Sequence, residues 1–149
     1  MDECGVDHRL YREKGWAPRG QRLYQSVSGA RRKRTSIISA SRGSRLVAPF
    51  VFEGACNTAV VDTYFQEVLF KELAPGSVLV LDNASFHKAP TTLALAKKAG
   101  IELLFLPAYS PDLNPIEHIW AAFKSRLQRV LPASADPLLD IANVSLCFC

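Results

Sequence analysis

One stretch decides how the chain is interpreted: residues 107–127 read PAYSPDLNPIEHIWAAFKSRL, a proline-rich turn followed by a predicted helix. Asn114 is a favoured N-cap, and Pro115 suits the first helical position. Apolar residues then recur with helical spacing at Ile116, Ile119, Trp120, Phe123 and Leu127. Glu117 lies about 100° round the helix from Ile116, at the border of this apolar face. A carboxylate there needs a partner. That partner is either a functional group or the N-terminus of the helix, because Glu117 lies three residues after Asn114, the spacing of a capping box.

A second carboxylate, Asp82, directly follows the apolar run Val78–Leu81. Such a run is typical of a buried parallel strand. The sequence predicts a helix over residues 90–99, ended by Gly100, and then a second buried strand over residues 101–106. This crossover returns the chain to the same edge of the sheet, where open α/β sheets place their ligands. We therefore expect Asp82 and Glu117 to approach each other, although an ordinary turn after the strand would also explain Asp82.

The upstream part of the chain predicts an antiparallel unit. Residues 35–40 and 46–53 are strand-like, residues 43–44 suit a hairpin tip, and Pro49 indicates an edge or a bulge. A helix is expected from Asn57 or Thr58 to about Leu73, where Pro75 and Gly76 end it. Residues 2–24 are polar and turn-rich, and residues 132–149 lack a clear period. The sequence thus predicts an α/β domain over residues 1–131 and a C-terminal tail over residues 132–149.

Composition limits the class of protein. The 149 residues, 48% of them hydrophobic, suit one globular domain. No apolar run is long enough to cross a membrane, and no signal peptide is evident. The four scattered cysteines predict reduced thiols in a cytoplasmic protein. The net charge of +4 favours a polyanionic partner only weakly.

The two carboxylates predict a metal site. Neighbouring carboxylates repel each other and take up protons unless a cation neutralises them. Their hard oxygen ligands suit Mg²⁺ or Mn²⁺. A pair of such ions can activate a water or a 3′-hydroxyl and stabilise the leaving oxygen in phosphodiester displacement.

Two motifs carry a family resemblance. Residues 82–87, DNASFH, and residues 106–120, LPAYSPDLNPIEHIW, closely resemble the DDE transposases of the mariner-like superfamily, nearest to the bacterial insertion-sequence branch. The 34 residues between Asp82 and Glu117 match the spacing of that superfamily. Residues 2–5 and 15–20 resemble the segment that carries its first catalytic aspartate, and the resemblance covers residues 2–131.

The resemblance implies a ribonuclease H-like mixed sheet with flanking helices. It also implies that Asp2, Asp82 and Glu117 form a catalytic triad that binds two Mg²⁺ or Mn²⁺ ions. The implied activity is a metal-dependent cleavage of DNA at transposon ends, followed by strand transfer into target DNA. The family carries an N-terminal helix-turn-helix region and a first strand leading into the first aspartate. We expect both to be missing here, which makes Asp2 the weak member of the triad.

Further residues are candidates for DNA contact. Arg31, Arg32, Lys33 and Arg34 form a basic run that would bind phosphates or lie in solvent. His87 follows Asp82 by five residues and either touches phosphate or is structural. Lys124 belongs to a basic face of the last predicted helix. His118 is expected to be a solvated helix residue.

Three functions stay open from sequence alone. The leading one is a DDE transposase catalytic domain that acts on DNA, with self-association into a homodimer as a further expectation. The second is an inactive, truncated remnant that at most binds DNA or self-associates. The third is another ribonuclease H-like nuclease that acts on RNA–DNA hybrids or junctions.

Overall fold

The computed structural model describes residues 1–6, 16–22, 24, 34–108, 110–131 and 136–149. Its strands are β1 Asp2–Val6, β2 Thr35–Arg42, β3 Arg45–Glu53, β4 Val78–Leu81 and β5 Glu102–Phe105. Its α-helices are α1 Thr58–Tyr64, α2 Phe70–Glu72, α3 Pro90–Ala99, α4 Ile116–Val130 and α5 Pro137–Leu146. A π-helical segment, Phe65–Leu69, joins α1 to α2, and 3₁₀ turns occupy Ser85–Lys88 and Pro111–Leu113.

Strands β1, β2 and β3 form an antiparallel sheet in that spatial order. The predicted hairpin is confirmed, with Arg42 opposite Arg45 across the tip. The register shifts between Ile38 and Ala40, and on the facing strand Ala48 adopts a positive φ of 53° just before Pro49. The bulge predicted at Pro49 is therefore present, because proline cannot donate a hydrogen bond to the sheet.

Strand β1 corrects the expectation that the first strand is missing. Asp2 pairs with Ser39 and Val6 pairs with Thr35, so the strand begins at Asp2 itself. Its side chains alternate between buried and half-buried positions, with Asp2, Cys4 and Val6 on the buried side. The polar composition of this segment hid the strand, and its pairing partner lies 29 to 37 residues downstream.

Strands β4 and β5 are parallel, with Val78 opposite Glu102 and Leu81 opposite Phe105. The backbone nitrogen of Met1 donates to the Val80 carbonyl oxygen at 2.7 Å, which brings the start of β1 beside β4. The prediction that both strands are fully buried is wrong for one face. Val78 and Leu104 are more than half exposed, whereas Leu79 and Leu81 are buried.

The core has two parts, one on each side of the antiparallel sheet. Helices α4 and α5 pack against the face of the sheet that carries Cys4, Val6 and Ile37. The helix residues buried there are Ile116, Ile119, Trp120, Phe123, Leu127, Ile141 and Val144. The second part joins the long helical segment to the other face and to the parallel strands; it contains Ile38, Ala40, Val61, Tyr64, Phe65, Leu69, Leu79, Leu81 and Ile101. Helix α4 is thereby fixed next to β1.

The local signals for the start of α1 and for the ends of α3 and α4 are confirmed. Asn57 caps α1 by accepting from the backbone N–H of Val60 at 3.0 Å. Helix α3 covers Pro90–Ala99 as predicted, and Gly100 ends it in the left-handed conformation, with φ of 69°. Helix α4 ends at Val130, also as predicted.

The C-terminal residues differ from the prediction of a tail without regular structure. Asp136 caps α5 by accepting from the N–H groups of Leu138 and Leu139. Ile141 is fully buried, and the Leu46 N–H donates to the Phe148 carbonyl oxygen at 2.7 Å. The described residues 136–149 therefore pack on the sheet, and the domain boundary at residue 131 stays a prediction.

Within the described residues, no helix combines the length and the apolar character that a bilayer crossing requires.

Candidate active site

An open cleft of about 410 Å³ lies where β1, the end of β4 and the start of α4 meet. All three predicted catalytic residues line it: Asp2 from β1, Asp82 after β4 and Glu117 in the first turn of α4. The remaining lining residues are Asn83, Ala84, Leu106, Pro107, Ala108, Ser110, Pro111 and Asn114. The proline-rich turn therefore forms one wall of the cleft.

Asp2 is a buried carboxylate held by two hydrogen bonds. Its Oδ1 accepts from the backbone N–H of Glu3 at 2.7 Å, and its Oδ2 accepts from Nδ2 of Asn114 at 3.1 Å. The pKa of Asp2 is raised to about 6, mainly by burial and also by the nearby charges of Glu117 and Asp82, against the lowering effect of the Glu3 hydrogen bond. Asp2 is thus ordered, and it senses the other two acids.

Asp82 is held by the 3₁₀ turn that follows it. Its Oδ1 lies 2.6 Å from Nδ1 of His87 and accepts from the Ala84 N–H at 3.1 Å. The hydrogen bond from His87 is the main reason why the pKa of Asp82 is lowered, and burial opposes it. His87 itself is buried, and its Nε2 has no hydrogen-bond partner among the described residues. The candidate DNA contact His87 therefore lies behind Asp82 and orients it.

Glu117 is the exposed member of the three. The predicted capping by Asn114 or Glu117 is absent, because α4 has no side-chain hydrogen bond at its N-terminus. The Glu117 N–H instead donates to the backbone carbonyl oxygen of Asn114 at 3.1 Å. Over the described residues, the Glu117 carboxylate makes no hydrogen bond or ion pair, so it can turn toward the cleft.

The three carboxylates line the same cleft but do not form a preformed metal-coordination site. Among the described residues, no three His, Cys, Asp or Glu side chains lie close enough together to hold a metal ion. The donor set still fits a divalent cation, since it consists of hard carboxylate oxygens and Asp2 is buried. Mutual repulsion keeps such groups apart until a cation neutralises them. Binding would draw in the exposed Glu117 side chain.

The basic run of residues 31–34 divides into two cases. Arg31, Arg32 and Lys33 lie outside the described residues. Arg34 makes an ion pair with Glu3, with 2.9 Å between Nη2 and Oε1, and it donates from Nε to the Ser36 hydroxyl. Its guanidinium covers Gly5, where an added Cβ would come within 2.9 Å of Nη2.

Lys124 is exposed on the same helix as Glu117, as are Arg126 and Arg129. It lies beside the buried Cys4 of β1. Burial raises the pKa of the Cys4 thiol to about 11, and Lys124 opposes this rise. His118 is exposed, as predicted, and does not line the cleft.

Asn114 is the functional candidate that sequence reasoning missed. Its position before Pro115 indicated an N-cap, and only the fold shows that its side chain reaches Asp2 instead. The one signal in the sequence was its place beside a functional glutamate.

The raised pKa of Asp2 predicts how stability depends on pH without metal. A carboxyl with an ordinary pKa of 3.8 when unfolded and about 6 when folded binds protons more tightly in the folded state. Its contribution to the free energy of unfolding therefore falls as pH rises from about 4 to 6, by on the order of 3 kcal/mol. In chelator, Asp2→Asn should be more stable than wild type at pH 7 and nearly equal at pH 4.

Urea unfolding of both proteins from pH 4 to 7 measures this difference. Taking the difference cancels the titration of Asp82, whose lowered pKa acts in the opposite direction. A stability difference that stays constant over this range would show that the pKa of Asp2 is not raised by folding.

The comparisons with known proteins agree with this geometry. The family model described as "DDE superfamily endonuclease" matches residues 1–138. The chain is 35% identical over 81 residues to an uncharacterized protein, y4pE/y4sA, of Sinorhizobium fredii, covering 53% of each. It is 30% identical over 77 residues to the Tc1 transposase of Caenorhabditis elegans, covering 52% of this chain and 28% of that protein. The chain thus spans about half or less of the length of these relatives.

Solved structures of the Mos1 transposase share the fold. The paired-end complex with the left transposon end aligns with a TM-score of 0.65 at 19% identity, over 99% of this chain and 52% of that one. The paired-end complex with Mn aligns with a TM-score of 0.56 at 19% identity, over 99% and 52%. The complex with Mg aligns with a TM-score of 0.56 at 20% identity, over 98% and 51%.

These alignments confirm the predicted ribonuclease H-like fold. The family match covers most of the chain and includes all three acids of the cleft. The chain belongs to the DDE superfamily of endonucleases.

Proposed function

We propose that this chain is the catalytic domain that cleaves DNA at transposon ends and transfers the freed strand into target DNA. The observation that carries the proposal is the meeting of Asp2, Asp82 and Glu117 in one open cleft. They come from three separate elements: the first strand, the end of the fourth strand and the start of α4. The family supplies the reaction class.

The residues of the cleft have different proposed roles. Asp2, Asp82 and Glu117 would hold two divalent cations, Mg²⁺ or Mn²⁺, as the Mos1 complexes with Mg and Mn suggest. When bound, such ions supply positive charge at the attacking and leaving oxygens of the phosphodiester. His87 fixes Oδ1 of Asp82, so the direction of that carboxylate is set before substrate arrives. Burial of Asp2 limits water on that side of the cleft.

DNA is the proposed partner. The Mos1 structures are paired-end and strand-transfer complexes, which supports transposon ends as the substrate and a homodimer as the assembly. The net charge of +4 suits a polyanion. We also place the chain in the bacterial insertion-sequence branch and in the cytoplasm, on the motif resemblance and the reduced cysteines.

Lys124 is the proposed phosphate contact next to the acids. It lies seven residues after Glu117, which is nearly two full helical turns, and therefore shares its face of α4. Lys124→Ala should weaken DNA binding for all sequences and lower the slope of log K against log salt by roughly 0.7–0.9. Fluorescence anisotropy at several salt concentrations measures the slope.

Lys97→Ala is the matched control, since Lys97 is exposed on α3. That variant should keep the wild-type slope. Equal slopes for the Lys124 and Lys97 variants would remove Lys124 from the DNA-contacting surface.

The proposed function is tested by a nicking assay on DNA that carries the ends of the element. We expect cleavage with Mg²⁺ or Mn²⁺ and none in chelator. DNA binding without cleavage would indicate the inactive remnant instead. Preferential cutting of an RNA–DNA hybrid would indicate a different ribonuclease H-like nuclease.

A further inference from the structure

We propose that Asn114 is a positioning residue that ties Asp2 to the first turn of α4 and so fixes Asp2 and Glu117 relative to each other. The inference rests on the proposed metal site and deepens it. Asn114 lies in the proline-rich turn, 112 positions from Asp2 in sequence. It contacts one acid through its side chain and the other through its backbone.

The side-chain contact is buried and directional. Asn114 is 7% exposed, and its Nδ2 donates to Oδ2 of Asp2 at 3.1 Å. The amide must present its nitrogen here, because its oxygen would face a carboxylate oxygen and repel it. A buried polar contact of this kind is costly to break, since Asp2 would lose one of its two hydrogen bonds.

The backbone of Asn114 is fixed from both sides. Its N–H donates to the Pro111 carbonyl oxygen at 2.9 Å, and its carbonyl oxygen accepts from the Glu117 N–H at 3.1 Å. The 3₁₀ turn and the first turn of α4 therefore hold the residue that holds Asp2. A shift of the first turn of α4 would therefore be transmitted to Asp2 through this side chain.

The amide is suited to its place because it is an uncharged donor. Lysine or arginine at this position would act as a permanent counterion for Asp2 and compete with a metal ion. The amide takes one lone pair of Oδ2, while the Glu3 N–H takes one of Oδ1, so each oxygen retains a further lone pair. Both oxygens thus remain able to bind a cation.

The test measures Mn²⁺ binding directly, by calorimetry and by the rise in Tm with Mn²⁺ concentration, in the full 149-residue chain. Loss of such a supporting contact to a ligand typically weakens metal affinity 10–100-fold. We expect Asn114→Ala to raise the Mn²⁺ concentration for half-saturation by about that factor. Asn114→Leu, which fills the same space without a donor, should behave alike even where Asn114→Ala leaves a cavity.

The matched control is Thr92→Val. The Thr92 hydroxyl is fully buried and donates to Oδ1 of Asp62 at 2.6 Å, between α3 and α1 and away from the cleft. Its loss should lower the urea midpoint of the metal-free chain and leave the half-saturation unchanged. A general loss of stability is thereby separated from a loss of positioning.

A measurement on the wild type tests the inference without relying on variants that could fail to fold. In ¹⁵N-labelled protein, the side-chain amide signals of Asn114 should shift on addition of Mg²⁺, with the half-saturation that calorimetry gives for Mg²⁺. Amide signals that do not respond, or Asn114 variants that bind Mn²⁺ as tightly as wild type, overturn the inference and leave the proposed function standing. Wild-type protein that binds no metal overturns both.

Discussion

Asp82→Asn and Glu117→Gln should each reduce metal-dependent DNA cleavage by at least roughly 10³-fold. Both substitutions keep the shape of the side chain and remove its charge. At Asp82 the amide would also change the contact with Nδ1 of His87, which is 2.6 Å from Oδ1 in the wild type. At Glu117 no other contact among the described residues is lost, so the effect isolates the charge itself.

Neighbouring residues of α4 and its preceding turn provide the controls. Asp112 and His118 flank Glu117 in sequence and are exposed, and neither lines the cleft. Asp112→Asn and His118→Ala should cut DNA within about twofold of wild type, since surface changes away from a site have small effects. DNA binding by the Asp82 and Glu117 variants should persist. Cleavage at the wild-type rate in either variant would show that the cleft is not the catalytic centre.

Phe123→Ala should lower the free energy of unfolding by about 3–5 kcal/mol. Phe123 is fully buried and makes edge contacts with Trp120 and Phe148, at ring-centroid distances of 5.7 Å and 6.1 Å. It therefore joins α4 to the C-terminal residues. Because domains are stable by only about 5–15 kcal/mol, this loss is a large part of the total.

The consequence of Phe123→Ala extends to the site. Helix α4 carries Glu117 and packs on the face of the sheet that carries Cys4, two residues after Asp2. Urea unfolding measures the stability, with Ser125→Ala on the exposed side of α4 as the control, expected within about 0.5 kcal/mol of wild type. A Phe123→Ala loss below about 1 kcal/mol would mean that α4 is not held by this core.

The elements that sequence predicted well have local signals. Asn57 caps α1, Gly100 ends α3, and residues 43–44 turn the hairpin, as their residue types indicate. Each of these features depends on residues that are only a few positions apart in the sequence. The parallel pairing of β4 with β5 followed from the crossover rule.

The elements that sequence missed depend on distant partners. Strand β1 is short and polar, and it exists because β2 pairs along its full length. Helix α5 was obscured by apolar residues on its exposed face, since Leu138, Leu139 and Leu146 are all more than 40% exposed. A period cannot be read when both faces are apolar.

The site divides in the same way. Asp82 and Glu117 were predicted from motif and spacing, and the fold brings both to one cleft with Asp2. The contacts that orient the acids, His87 on Asp82 and Asn114 on Asp2, could not be predicted. The sequence shows which side chains are able to donate a hydrogen bond to a carboxylate, but only the fold shows which of them lies close enough to do so.

The central claim is that Asp2, Asp82 and Glu117 together bind divalent metal. The most direct measurement is anomalous scattering from a crystal of this chain soaked in Mn²⁺. We predict a Mn²⁺ peak within coordination distance, about 2.0–2.3 Å, of carboxylate oxygens from all three residues. A cleft without a peak at saturating Mn²⁺, or a peak on Asp82 with Asp2 and Glu117 turned away, would contradict the account.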